Sequence, residues 1–270
     1  MRIKVIACEV MFREICLCAA HSPHTVDLDF LKRGLHDNAE TLRETVQHSI
    51  DAAEEGPPSS GMGSANPGGY DAIVLGYGLC SNGVLGLVAR ETPVVIPRAH
   101  DCITFFLGSK DVYQRYFNDE PGTYWFTSGW IERAGSHVPR TKEAGEGMQL
   151  SYDDLVAKYG EDNAAYLCEV QQAWIKHYSR AALIDLKLGP HDVLRAEVEQ
   201  IAAERDWDFD DLPGDLRLIR KMLDGEWNAD EFLIVQPGQQ VIRGNDDDII
   251  AAAGLSPESL AEHADSAGTS

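Results

Sequence analysis

His100 and Cys102, two positions apart, set an imidazole and a thiol where both could bind one metal ion, with Asp101 turned away between them. Cys80 would supply a third ligand, and Cys8 or Glu14 a fourth. Such N, S and O sets suit zinc, and their thiolate content favours zinc or iron over magnesium. Cys80 also admits a metal-free role. In Gly76-Tyr77-Gly78-Leu79-Cys80-Ser81-Asn82-Gly83 the thiol precedes an expected helix, whose N-terminus would lower its pKa, and His100 would complete a nucleophilic pair. The same turn, with Tyr77, Ser81 and Asn82, would instead cradle a carboxylate or phosphate on a bound cofactor or substrate. Arg98 either clamps an anionic substrate or bridges to the acidic surface, and Glu14 and Asp101 are the carboxylates available for proton transfer.

These residues need a scaffold that brings them together. Ala72–Leu75 and Val94–Ile96 are Val/Ile-rich runs too short for helices, separated by Ser81–Arg90, long enough for one. A strand, helix and parallel strand joined by a crossover place Tyr77, Cys80, Arg98, His100 and Cys102 at neighbouring strand ends, where open α/β sheets bind ligands. Ile3–Cys8 reads as the first strand, followed by a helix over Phe12–Ala20 with Glu14 and Cys18 on one face, and by an alternating edge strand over Thr25–Phe30. Ala39–Glu55 has helical spacing at Leu42, Val46 and Ile50. Gly56–Gly69 and Gly135–Gly147 are loop-like, the first without the Lys-Ser/Thr of a phosphate-binding loop.

Further on, helices are expected over Ile103–Phe106, Asp111–Phe117, Tyr152–Tyr159, Asp162–His177, Asp192–Glu204 and Leu216–Leu223. Strands are expected over Thr123–Thr127, Ala182–Leu186, Trp207–Leu212 and, last, Phe232–Val235. Asp185, on an apolar strand, is either a cleft residue or a local hydrogen-bonder, and His191 has no spacing that carries a signal. The fold class is α/β: two Rossmann-like lobes, 1–133 and 134–250, with mainly parallel sheets and a cleft at the strand C-termini, then a flexible tail over 251–270.

Of 270 residues, 44 are acidic and 23 basic, a net charge of −21, which argues against nucleic acid and anionic membranes as partners. No apolar run approaches membrane-spanning length, and the six cysteines include no CxxC pair. Reduced thiols in the cytoplasm are the expectation.

The stretches IKVIACEVMFREI, YDAIVLGYGLCSNGVLGL, VVIPRAHDCITFFLGS, GTYWFTSGW and DLRLIRKMLDGEWNADEFLIVQPG resemble an uncharacterised domain-of-unknown-function family, number 1638, over about residues 3–242. The resemblance implies an association with genes of corrinoid-dependent methyl transfer, and so a corrinoid or methyltransferase partner protein. His100-x-Cys102 is also similar to the H-x-C zinc pair of the uroporphyrinogen-decarboxylase-like methyltransferases, which hold a thiol as thiolate; with no (β/α)₈ pattern here, that parallel is one of chemistry.

The functional expectation is a metal-dependent small-molecule enzyme, using zinc or iron in thiol or methyl-group transfer. The alternatives are a non-catalytic metal, corrinoid or small-molecule binding protein or assembly factor, and a metal-free enzyme with Cys80 as nucleophile.

Overall fold

In the computed structural model the described residues are 1–55, 69–133, 156, 160–161, 177–245 and 247–255. The chain opens with β1 (Arg2–Cys8), α1 (Phe12–His21), β2 (Thr25–Leu31), α2 (Ala39–Glu55), β3 (Ala72–Gly76) and β4 (Val94–Pro97). The apolar runs of β3 and β4 are buried throughout, as a parallel sheet covered on both faces requires. β1 pairs in parallel with both β2 and β3, and β3 with β4. β2 is an edge strand as the sequence suggests, although its burial does not alternate: Val26 to Leu31 are all half-buried.

α3 (Cys102–Leu107) and α4 (Lys110–Asp119) follow, capped by Asp101 and Ser109, whose side chains accept from Ile103 N and Asp111 N. The chain then leaves the first sheet. β5 (Thr123–Thr127) runs into α5 (Ser128–Glu132), and β6 (Arg180–Asp185), α6 (His191–Arg205) and β7 (Asp208–Pro213) complete a parallel sheet of order β5-β6-β7 with its own small core around Phe126, Leu183 and Val198. α7 (Arg217–Leu223) leads back, and β8 (Phe232–Val235) pairs antiparallel with β4. The first sheet is thus β2-β1-β3-β4-β8. A hairpin of β9 (Gln239–Arg243) and β10 (Ile250–Gly254) ends the described chain. The fold is mixed α/β with mainly parallel sheets.

Three expectations differ. Ser81–Arg90 is a run of turns with an isolated bridge at Val88: besides turn bonds such as Leu85 N to Asn82 O, its backbone bonds to β9 through Gly86 N to Val241 O, Val241 N to Leu87 O and Ala89 N to Gln239 O. Phe232–Val235 is not the last strand, and residues 251–254 of the expected tail belong to β10. Ser128–Glu132, just past the expected end of the strand at Thr127, adds a short helix. The sheets do not divide at residue 133, since β5 lies in the second and β8 in the first. The helices expected over Tyr152–Tyr159 and Asp162–His177, and the loops over Gly56–Gly69 and Gly135–Gly147, fall outside the described residues but for single positions.

One consequence of strand order positions the site. From β1 the chain moves one strand outward to β2, then returns past β1 to β3 and continues the other way to β4. Right-handed crossovers then put α1 and α2 on opposite faces, and the loops leaving β1 and β3 diverge. The gap between those two strand ends is the topological switch point, where doubly wound sheets bind ligands.

Candidate functional site at the sheet switch point

Cys8 is the last residue of β1 and Tyr77 the first after β3; the register Ala7↔Gly76 sets them side by side across the switch point. The strands approach too closely for a side chain at Gly76, whose Cβ would lie 2.5 Å from that of Ala7. The loop after β3 is laced to the loop after β4 by Leu79 N to Ala99 O (2.7 Å) and Cys80 N to His100 O (2.9 Å). Gly78 sits in this seam: a Cβ there would be 2.7 Å from Ala99 O and 2.9 Å from Asp101 N. Backbone bonding therefore carries Cys80 to the residues that precede Cys102.

Cys80, Ser81 and Asn82 have φ of 44°, 56° and 71°, a left-handed turn closed by Gly83 N to Cys80 O at 3.0 Å. Left-handed backbone costs roughly 1–2 kcal/mol per non-glycine residue, Asn suffering least. Outside contacts hold the turn. Arg243 Nη2 of β9 donates to Asn82 Oδ1 at 2.5 Å, and the β9 bonds to Gly86 and Leu87 fix its far side. Strain of this kind persists where surroundings over-determine it.

The thiols interact electrostatically. Loss of water pushes Cys8 up to about 11 and Cys80 up to about 12, and Cys102 well above its ordinary value. After burial, Cys80 is raised by Asp101 and Cys8, and Cys102 by Asp101, Cys80 and Cys8. The three thiols thus belong to one neighbourhood at adjoining strand ends, where Asp101 opposes thiolate at Cys80 and Cys102 and Arg33 favours it at Cys8. Cys80 does not have the helix N-terminus that the sequence suggested, and its raised pKa opposes a metal-free nucleophile. The donors are not drawn tightly together: among the described residues, the three-donor group lying within 4.8 Å is Asp185, His191 and Asp211.

Tyr77 is 4% exposed, and its hydroxyl has no hydrogen-bond partner among the described residues. Burial, then Cys8, Cys80, Asp29 and Glu9, raise its pKa, so it is a proton donor.

The other sequence candidates are committed to structure. Arg98 donates from Nε to Ala229 O at 2.8 Å and from Nη1 to Asp248 O at 2.7 Å and to Ile250 O, tying β10 to the end of β4. Nη1 also lies 3.6 Å from Asp248 Oδ1, the salt bridge that was the second of the two readings of Arg98. Asp101 Oδ1 caps α3, while its Oδ2 accepts from Tyr113 Oη at 3.0 Å. Burial raises the Asp101 pKa, and these bonds oppose the rise. His100 is exposed, its ring stacked on Tyr113 at 6.0 Å. Asn82 is taken by Arg243, and Ser81 is exposed on the turn. Glu14, completely buried on α1, faces α5: its Oε1 accepts from Ser128 Oγ at 3.2 Å, and its Oε2 has no hydrogen-bond partner among the described residues.

Sequence reading missed a second group, at the C-terminal end of the β5-β6-β7 sheet. His191 Nδ1 lies 3.1 Å from Asp185 Oδ1 and Nε2 lies 3.3 Å from Asp211 Oδ2. Burial works to raise the Asp185 pKa, but Lys187 and His191 hold it below the usual range. Arg195 Nη1 approaches Asp211 at 3.6 Å. With both imidazole nitrogens facing carboxylates and two cations beside them, the group is an ion-paired joint between β6, β7 and the start of α6. The available signals were an aspartate in an apolar strand and a histidine at a helix start.

Residues 30–223 match the model of a family described as a protein of unknown function (DUF1638), a span that contains Cys80, His100 and Cys102. Comparison with curated proteins and with solved structures gave no match.

Proposed function

The chain belongs to the DUF1638 family, and from the residues around its switch point we propose that it binds a soft metal ion, zinc or iron, through Cys8, Cys80 and Cys102 and uses it on a small molecule. The observation that carries this reading is the placement of three thiols at the C-terminal edge of one parallel sheet: Cys8 ends β1, Cys80 lies in the loop after β3, and Cys102 opens α3 after β4, with Cys80 N bonded to His100 O. Thiols held neutral by loss of water are stabilised as thiolates by a cation, and sulfur donors favour zinc or iron over magnesium. His100 is placed at the rim, where it would act as an exchangeable fourth ligand. A thiol substrate coordinated there would be held as thiolate for alkylation, in keeping with thiol or methyl-group transfer.

A carrier that binds and releases metal without turnover is the second reading. It is favoured by the engagement of Arg98 and Asp101 with backbone and with Tyr113, which removes two of the groups expected to take part in chemistry.

Elemental analysis of the full chain purified without oxygen tests both. About one equivalent of zinc or iron is expected, lost in Cys80→Ser and Cys102→Ser and retained in Cys16→Ser, whose thiol lies on α1. A metal-free wild type that binds neither ion on addition would refute the metal-based function. Return of an added small thiol unchanged from the loaded protein would select the carrier.

A further inference from the structure

The loop that leaves β3 carries three consecutive residues of positive φ, Cys80, Ser81 and Asn82, none of them glycine. Strained backbone of this kind clusters where a fold binds or reacts. The turn also leaves donors to spare. Its N–H groups at Cys80 and Gly83 are bonded, to His100 O and Cys80 O. Among the described residues, the N–H groups of Ser81 and Asn82 and the hydroxyl of Ser81 have no hydrogen-bond partner, and both residues are exposed. Successive N–H groups in a turn form a concave donor site for anions. Two guanidiniums bracket this one. From β9, Arg243 Nη2 donates to Asn82 Oδ1 at 2.5 Å. From α2, Arg43 Nη1 donates to Leu85 O at 3.4 Å, and its Cδ would lie 3.3 Å from a Cβ at Gly86. Leu42, next to Arg43, closes on the same loop, leaving no room for a side chain at Gly83. Acids outnumber bases by 44 to 23 in this chain, yet neither arginine has a carboxylate partner among the described residues.

From this juxtaposition we propose that the turn binds the phosphate group of a small molecule. The N–H groups of Ser81 and Asn82 and the Ser81 hydroxyl donate to its oxygens, and Arg43 and Arg243 meet its charge from either side. The inference is independent of the metal reading above. The turn follows β3 at the switch point, the edge where doubly wound sheets take up ligands, and its spare N–H groups do there what a helix N-terminus does elsewhere. A phosphate monoester brings three strong acceptor oxygens and close to two negative charges, which suits two arginines and donors from more than one direction. A carboxylate brings two oxygens and one charge, and leaves part of the set unused. The strongly acidic chain repels anions in general. Phosphate bound here is therefore held by these local donors and not by the overall field.

The test is isothermal titration calorimetry of the full-length chain with inorganic phosphate and with acetate, at fixed ionic strength. The wild type should bind phosphate saturably, and acetate at least tenfold more weakly. Arg43→Gln and Ser81→Gly should each bind phosphate about tenfold more weakly, the loss expected for one hydrogen bond to a charged acceptor. Both should fold as the wild type does: the bond from Arg43 to the loop is long, and glycine adopts left-handed backbone freely. Arg115→Gln removes an exposed charge on α4 and should leave phosphate affinity unchanged. Binding should also survive the neutral chelator phenanthroline. The proposal is overturned by a wild type that does not saturate with phosphate, by acetate binding as tightly, or by wild-type affinity in either Arg43→Gln or Ser81→Gly. An equal loss in Arg115→Gln overturns it by showing diffuse attraction, and abolition by phenanthroline overturns it by placing the anion on a metal ion.

Discussion

Gly78→Ala tests the seam that positions Cys80. The added Cβ would sit 2.7 Å from Ala99 O and 2.9 Å from Asp101 N, both backbone atoms that cannot rotate away. Restoring ordinary contact requires the two loops to part by about 0.7 Å. Leu79 N to Ala99 O, at 2.7 Å, and Cys80 N to His100 O, at 2.9 Å, cross the same gap and would stretch beyond useful length. Two backbone hydrogen bonds contribute about 2 kcal/mol together. For a chain of this size that lowers Tm by roughly 4–8 °C. Displacing the Cys80 sulfur should also weaken metal binding by about tenfold or more. Gly254→Ala is the control, because Gly254 does not have a positive φ and no atom lies within 4 Å of its added Cβ. Differential scanning calorimetry and competition with a chromogenic chelator read the two effects. A Gly78→Ala protein with wild-type melting and wild-type metal affinity would refute the close approach of the loops, and with it the placement of Cys80 beside Cys102.

Two other perturbations have defined outcomes. Burial raises the Glu14 pKa above its ordinary 4.5, so the folded chain keeps a proton that the unfolded chain releases. Wild-type stability due to this group therefore falls as pH rises from 4.5 through the folded pKa. Glu14→Gln should gain on the wild type across that range, with the difference fading below it, as urea unfolding at several pH values would show. Arg98→Ala leaves three backbone carbonyls without their guanidinium; it should cost about 2–4 kcal/mol and speed amide hydrogen exchange in β9 and β10 more than in β1.

The elements of the first sheet were legible because each announces itself locally. Ala72–Leu75 and Val94–Ile96 are too apolar and too short to be anything but buried strands, and Leu42, Val46 and Ile50 repeat at helical spacing. The crevice was legible for the same reason, since strand ends follow from strands. What was hidden depends on partners distant in sequence. Ser81–Arg90 has the length of a helix, yet its hydrogen bonds run to residues 239–241, which no local pattern reveals. The β9–β10 hairpin was obscured by an Ala- and acid-rich composition that resembles a tail, although Arg98 binds the carbonyls of Asp248 and Ile250. Arg98 itself illustrates the ambiguity: its position at a strand end was read correctly, while its bonds belong to the hairpin. Asp185 attracted notice, but its link to His191 and Asp211 exists only because β6 and β7 pair in register, with Leu183 opposite Asp211.

The route of the chain between its sheets has a further consequence. It passes outward ahead of β5 and comes home after β7, where Asp215 N bonds to Phe106 O and Gly108 packs on Asp215. The second sheet is therefore an insertion held at both ends, and both ends spring from the α3–α4 region that also carries Cys102. Cutting one connection would leave the other intact. A gene fragment ending at residue 133 would strip β4 of its neighbour β8 and β5 of its neighbour β6. Circular permutation, with new termini opened in one connection, is the surgery this architecture tolerates better than dissection.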